Sequence, residues 1–341
     1  DKLDDGHFHT GPRTIVHVAG DAKNERAWEP FAACGSGTVD VRRNLYKNVL
    51  GNRVVFEEVA PAFGLAFRSR WAACDEFGWV RTCTLANTGK SPVSLSILDG
   101  LRNVLPCGAA LSIYQTASSL VDAYKRVDLD PRTGMGIYSL TSRIVDRPEA
   151  AEALRANVVW CAGLEGGATA FSGGAVDAFR RGAPVSGDDV LTGRRGHYFR
   201  TAKIELNPGA EATWHMGCDV GLDHANIASL RARIADRAGI AERIEEALDR
   251  AADNLVRNVA SADGLQMTAA PITDGHHFAN TLFNNMRGGV FADGYAVDAR
   301  DFVDFLASRN RQAATRLRAD CEELGEGLDV ASLLEIAEES K

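Results

Sequence analysis

Residue types able to do chemistry are plentiful in this chain, but few stand at the spacings that chemistry requires. The close histidine pairs are His7-Phe8-His9 and His276-His277. Zinc needs ligands that converge on one point. The first pair lies on a terminus and alternates across a strand pattern, and adjacent residues on a helix do not share a face, so neither pair reads as a metal site. A serine nucleophile on a strand-to-helix elbow requires G-x-S-x-G, which is absent. A phosphate loop places glycines between a strand and a helix N-terminus. Gly163-Leu164-Glu165-Gly166-Gly167 lacks that context and reads as an ordinary loop. Paired carboxylates for glycoside chemistry come from distant parts of a fold, so spacing does not reveal them. Trp28, Trp71, Trp79, Trp160 and Trp214 are candidates for stacking on sugar rings, with core packing as the commoner use of such residues.

The elements that would position these residues change character along the chain. From about residue 12 to about 222, short β-rich runs alternate with turn chemistry. Thr14-Ile15-Val16-His17-Val18 is a strand, and residues 52–59 and 65–71 alternate with period two. Asp75-Glu76-Phe77-Gly78 turns into residues 79–85, and Asn87-Thr88-Gly89 turns again into 93–98. Strands over 197–206 and 212–220 flank Asn207-Pro208-Gly209. Helical interruptions are expected at 110–127 and 148–154. This spacing predicts a large antiparallel sandwich over residues 1–222. At Asp223, a good N-cap, the period switches. Ile227, Leu230, Ile234, Ile244, Leu248, Leu255 and Val259 recur at helical spacing until Asp263-Gly264, as one helix or two in series. Further helices are predicted over 276–287, 301–320 and from Asp329 onward. The fold class is therefore mainly β: a large sandwich, a helical linker over 223–263, and the first helices of an unfinished helical domain over 264–341.

Composition narrows the function classes. The chain has 341 residues, 45% of them hydrophobic and 25% charged, which excludes disorder and a disulfide-stapled miniature. A formal charge of −8 without a basic cluster argues against nucleic acid as a partner. No apolar run approaches the roughly 20 residues of a bilayer span, so no membrane partner is expected. Seven cysteines with no C-x-x-C pair suggest reduced thiols and a cytoplasmic location. Cys74 and Cys83 flank a hairpin, and a bond between them is the minor alternative. The start, Asp1-Lys2-Leu3-Asp4-Asp5, has neither an initiator Met nor a secretory pattern, which suggests processing or a piece of a longer chain.

Several segments carry a family resemblance. Trp28-Glu29-Pro30 followed by Val41-Arg42-Arg43-Asn44-Leu45-Tyr46-Lys47 resembles a strand end and an aromatic-basic strand of the cellobiose phosphorylase type of inverting glycoside phosphorylase. Phe77 to Gly89, with its Asn-Thr turn, and Leu206-Asn207-Pro208-Gly209-Ala210-Glu211 are similar to later strands of that family's sandwich. Leu265-Gln266-Met267-Thr268 stands where such enzymes leave the linker and enter a barrel of paired helices. Runs similar to 41–55 and 274–295 also occur in large cellobiose-phosphorylase-like proteins.

The resemblance implies a super-sandwich like that of galactose mutarotase, then a linker, then an α/α barrel that carries the catalytic Asp. In the family, phosphate attacks the anomeric carbon, so one acidic group suffices. That Asp is expected beyond Lys341, and this piece is expected to be inactive alone. The implied partners are an oligosaccharide substrate and a second copy in a homodimer. No cofactor is implied, with inorganic phosphate as co-substrate. Arg287 and Asp293 are carried over as contacts to sugar hydroxyls, because a guanidinium fork donates to vicinal hydroxyls and a carboxylate accepts from them. Tyr295 is the stacking candidate. The alternative at Arg287 is a helix end stopped by Gly288-Gly289. Two rival functions stand beside this one: a carbohydrate-binding or scaffold module, and a mutarotase-like epimerase. The epimerase would need His197 or His215 to meet a Glu in the sandwich cleft, and no spacing rule pairs them.

Overall fold

In the computed structural model of the chain, residues 10–19, 26–32, 40–144, 154–288, 296–323 and 327–339 are described. The chain divides into two compact units, residues 1–47 with 53–251 and residues 48–52 with 252–341.

The first unit is a β-sandwich. Its strands are β1 (Gly11–Val18), β2 (Arg26–Trp28), β3 (Arg42–Lys47), β4 (Val54–Ala60), β5 (Leu65–Cys74), β6 (Gly78–Asn87), β7 (Val93–Val104), β8 (Lys125–Leu129), β9 (Gly136–Leu140), β10 (Ala156–Ala162), β11 (Thr169–Ala170), β12 (Val190–Thr192), β13 (Gly196–Leu206) and β14 (Glu211–Leu222). A five-stranded sheet has the order β11-β13-β7-β1-β2, and a nine-stranded sheet has the order β12-β8-β9-β10-β14-β6-β5-β4-β3. Every pairing is antiparallel.

Period-two alternation fills the space between the sheets. On β5, Leu65 and Phe67 point inward, while Arg68 and Arg70 point away from the core. The inner cluster joins Val16, Leu95, Ile97 and Tyr198 of the smaller sheet to Phe67, Leu85, Val159, Trp214 and Met216 of the larger one. Strand β10 shows no alternation because both of its faces are covered. Val159 and Cys161 face the inner cluster, whereas Val158, Trp160 and Ala162 pack under helices on the outside.

Those helices follow β14. Two short helices, α1 (Leu111–Thr116) and α2 (Ser118–Tyr124), precede β8, and α3 (Gly174–Arg180) covers the outer face of the five-stranded sheet. The expected helix over 110–127 is thus two short ones, and it ends early because Lys125 already belongs to a strand. Helix α4 (His224–Ala235) begins at Asp223, whose side chain accepts the Asn226 N–H at 2.9 Å. Helix α5 (Ile240–Ser261) follows, so the linker segment is two helices in series. Leu230, Ile234, Ile240, Ile244, Ala247 and Leu248 form one stripe over Phe77, Val80 and Trp160. Gly217 is required here: its register partner is Trp160, and a Cβ on it would meet the indole at 2.1 Å.

The second unit holds the end of α5, then α6 (Pro271–Met286), α7 (Ala299–Arg309), α8 (Arg311–Glu323) and α9 (Val330–Glu339), with a small ladder between β15 (Ala296–Asp298) and β16 (Gly327–Asp329). Helix α6 starts five residues earlier than its apolar pattern suggests, because Pro271 at its first turn has no N–H to satisfy. The predicted helix over 301–320 is broken at Asn310, whose backbone is extended at φ −151°. Val259, Phe278, Val303 and Ala314 are buried in this unit, while Met267, Ile272, Phe283, Met286, Phe305 and Leu334 are exposed.

Candidate functional site

The cavity of interest, about 590 Å³, opens on the outer face of the five-stranded sheet. Its floor follows from strand register. His17 of β1 pairs with Ser96 of β7, which pairs with Lys203 of β13, so three polar side chains form one row across three strands. The neighbouring row, Ile15 and Leu98, lies with Phe199 beneath α3. Helix α3 and the turn after it build the apolar wall from Phe179, Pro184 and Val185. The Phe179 ring meets the His17 ring edge-on, with centroids 5.0 Å apart. The third side is the loop through Glu165, Gly166 and Gly167. Gly167 lies flat on β13, where a Cβ would sit 1.5 Å from the Thr201 carbonyl oxygen. The Thr201 hydroxyl also accepts the Ala168 N–H at 2.9 Å, which fixes the loop against the strand.

The tautomer of His17 follows from its partner. Its Nε2 lies 2.8 Å from the Phe179 carbonyl oxygen, which only accepts, so Nε2 carries the proton and donates. Nδ1 is buried without a hydrogen-bond partner. Lys203 and Glu165 are exposed and bring one positive and one negative charge to the cavity. Hydrogen-bonding groups of both polarities beside an aromatic wall suit a small polar ligand. Among the described residues, no group of three or more His, Cys, Asp or Glu is placed to hold a metal ion.

Two other polar clusters are closed and structural. Between the sheets, Asp99 accepts from Thr14 at 2.6 Å, from Arg81 at 3.0 Å and from the Trp214 indole at 2.7 Å. Arg81 also donates to Ser69 at 3.0 Å and to Thr14 at 2.9 Å, so this ion pair is fully hydrogen-bonded and sealed from solvent. Nearby, burial pushes the Cys161 thiol up to about 12 and raises Cys83 well above the ordinary thiol range, which makes both unreactive. The second cluster centres on Glu58, which accepts from Trp28 at 2.8 Å, from the Phe31 N–H at 2.9 Å and from Arg43 at 2.7 Å. The Trp-Glu-Pro segment and the aromatic-basic strand are therefore tied together through one buried carboxylate.

The residues singled out by sequence fall in scattered places. Arg287 caps the C-terminal end of α6, with its guanidinium 5.3 Å from the Phe283 ring centroid. Asp293 and Tyr295 lie outside the described residues, as do His7, His9 and all but Leu154 of the helical turn expected over 148–154. His277 bonds to the Asp263 carbonyl at 2.8 Å. Trp28, Trp160 and Trp214 are core, Trp71 is half-buried and Trp79 is exposed. Cys74 and Cys83 project to opposite faces of the nine-stranded sheet, and both are free thiols. His197 and His215 belong to different sheets. Burial, helped by Arg102 and Arg195, pushes His197 down to about 4, and its Nδ1 accepts the Asn103 N–H at 3.2 Å. His215 bonds to Thr82 at 3.1 Å and is lowered by burial, with the Arg70–Glu245 ion pair beside it. Neither histidine is hydrogen-bonded to a Glu among the described residues, although Glu245 lies near enough to His215 to act on its charge.

His17, Ser96 and Lys203 were not singled out by sequence. Period-two alternation places His17 on the face opposite Val16, but only pairing across long sequence separations brings the three together.

No family model matches the chain, and no curated protein matches it. Among solved structures, the chain is similar to a bacterial glucoamylase complexed with acarbose, at 11% identity and a TM-score of 0.42, over 82% of this chain and 33% of that one. It is also similar to a provisional kojibiose phosphorylase from the human microbiome, at 8% identity and a TM-score of 0.35, over 80% and 28% of the two chains. A polysaccharide lyase gives 13% identity and a TM-score of 0.29, over 64% and 28%. The chain spans about a third of the length of these proteins or less. At such scores the pairs do not establish a shared fold, and the chain's own residues carry the functional reading.

Proposed function

We propose that the chain is the β-sandwich and linker part of a carbohydrate-active enzyme, a glycoside phosphorylase that cleaves β-glucosides with inorganic phosphate, and that it is inactive by itself. The observation that supports this is the order of its elements. A sandwich of a five-stranded and a nine-stranded sheet leads into two helices laid in series on the larger sheet, followed by helices with exposed apolar side chains. This is the order that the phosphorylase resemblance requires, with the sandwich over 1–222, the linker over 223–263 and the barrel beginning after Gly264. In that reading, Arg287, Asp293 and Tyr295 contact the non-reducing sugar, and the general acid comes from a later part of the barrel. A buried ion pair such as Arg81–Asp99 is not the catalytic pair, since no substrate reaches it.

The test is an assay of the chain extended along its own reading frame, with cellobiose and other β-glucosides in the presence and absence of phosphate. Phosphate-dependent release of a sugar 1-phosphate is the expected result, with Arg287→Ala raising KM. Hydrolysis that ignores phosphate would reassign the enzyme as a hydrolase.

A further inference from the structure

We propose that an aromatic line on the nine-stranded sheet, Phe56, Trp71 and Trp79, is a binding surface for an extended chain of neutral sugar rings. Strand register builds the line. Phe56 of β4 pairs with Ser69 of β5, Trp71 stands two residues further along β5 and pairs with Arg81 of β6, and Trp79 stands two residues beyond Arg81. Residues two apart on a strand share a face, so the three rings stand on one face of the sheet, each one strand over and one step along from the last. Diagonal neighbours of this kind are about 7–8 Å apart, which gives a straight run of about 15 Å. The smaller sheet covers this face as far as Arg81, which bonds to Asp99 and Thr14. One step further, Trp79 is 58% exposed, and its register partner Ala73 is small and exposed as well. Phe56 is 42% exposed at the other end of the line, and Trp71 is half-buried between them.

The five tryptophans divide by what they do. Trp28 and Trp214 are buried and donate to Glu58 and Asp99, and Trp160 is sealed beneath the linker helices. Trp71 and Trp79 donate to no described residue and keep surface in water. An aromatic ring offers its face to the C–H face of a pyranose, and an indole adds a donor at its edge for a hydroxyl. The line itself carries no charge, so an anionic polymer forms no ion pair along it. A single sugar ring covers one aromatic, whereas an extended chain reaches all three. With Leu45 and Phe31 beside Phe56, the exposed apolar surface comes to about 400 Å² on ordinary side-chain areas, against about 800 Å² per partner in a stable protein interface. That is too little to hold a second copy of the chain. Nor is the line built to enter a bilayer, since its side chains stand on the face of extended strands and not at a loop tip.

The experiment is a titration of the 341-residue chain with glucose, cellobiose and cellohexaose, read by calorimetry and by tryptophan fluorescence. Polygalacturonate and vesicles of phosphatidylcholine with phosphatidylglycerol serve as the charged and lipid alternatives. The expected result is saturable binding that tightens from glucose to cellohexaose and shifts the tryptophan emission. Trp79→Ala should weaken cellohexaose binding about tenfold with the thermal midpoint unchanged, because most of this side chain is already in water, and Trp79→Phe should keep most of the affinity. Phe56→Ala, two strands away, should also weaken cellohexaose binding, which a site confined to Trp79 would not show. Absence of saturable cellohexaose binding would overturn the proposal. So would binding that either alanine substitution leaves unchanged, tighter binding of the vesicles or of polygalacturonate, or a dimer in sedimentation that Trp79→Ala dissolves. Because no turnover is read, the result stands apart from whether the extended chain is a phosphorylase.

Discussion

The two units of the chain differ in the size of the apolar core that their described residues form. In the sandwich unit, Trp160, Trp214, Tyr138, Tyr198, Phe67 and Phe171 are fully buried, and both outer faces receive helices. In the helical unit, the described apolar cluster around Val303 is small, and Ile272 and Met286 are about three-quarters exposed, at 75% and 77%. Fully burying one large apolar side chain is worth about 1.5–3 kcal/mol. The first unit therefore carries most of the folding energy visible in this structure. The second has amphipathic helices whose apolar sides are not covered by the described residues. The larger buried core and the more exposed helix α6 thus sit in different parts of one chain.

The sharpest way to break this contrast is to open the sandwich interior. Asp99→Leu leaves Arg81 as an uncompensated buried cation and should cost about 3–5 kcal/mol in urea denaturation, enough to unfold a marginal domain. The double variant Arg81→Met with Asp99→Leu removes both charges and should recover most of that loss. If Asp99→Leu alone is tolerated, water reaches the pair and the interior is not sealed. Next in size is Gly217→Ala. Its new Cβ would overlap the Trp160 ring, which is held between β10 and the linker helices, and the expected cost is about 3 kcal/mol. The pairing of Trp160→Leu with Gly217→Ala should relieve the clash, and calorimetric midpoints of the two single and the double variants measure the coupling.

The third prediction uses pH. His197 is neutral in the folded chain down to about 4, whereas in the unfolded chain it takes a proton near its ordinary value of 6.5. Between these two values the unfolded state binds the extra proton, so the stability from this residue is complete above about 6.5, falls as pH drops, and is flat below about 4. His215, lowered in the same direction, adds to the slope. After allowance for partial exposure, the His197 contribution is about 2 kcal/mol. The stability gap between the parent chain and His197→Ala should narrow by that amount from neutral pH to pH of about 4. A gap that stays constant would mean that water reaches the imidazole freely.

Sequence was a good guide where one face of a strand is wet and a poor one where both are dry. The hairpins through β4, β5 and β6, and through β13 and β14, are legible because Arg68, Arg70, Lys203 and Glu205 alternate with apolar partners. The region from β8 to β12 is less legible. Strand β10 reads as an unbroken apolar run because its two sides serve two different clusters. Asp223 announced its helix because the capping interaction is local. The cavity was invisible for the converse reason: Ser96 and Lys203 lie more than a hundred residues apart and meet only through the β7–β13 pairing. The loop through Gly163 to Gly167 carries no recognisable motif, yet it forms one side of that cavity through a packing requirement at Gly167.

The smallest expected effect is the most informative about the helical unit. Ile272 and Met286 stand on α6 with most of their surface in water, so Ile272→Ser and Met286→Ser should each change stability by no more than about 0.5 kcal/mol. Helix propensity works slightly against serine, and nothing else is lost. Denaturation at two protein concentrations separates the outcomes. A small effect at both concentrations means that these side chains are free in solution and available to a further layer of helices. A cost of several kcal/mol that grows with concentration would mean that α6 is already buried against a second copy. The contrast between a sealed sandwich and an open helical unit would then hold for the single chain but not for the protein in solution, because association would supply the cover that the fold of one chain does not.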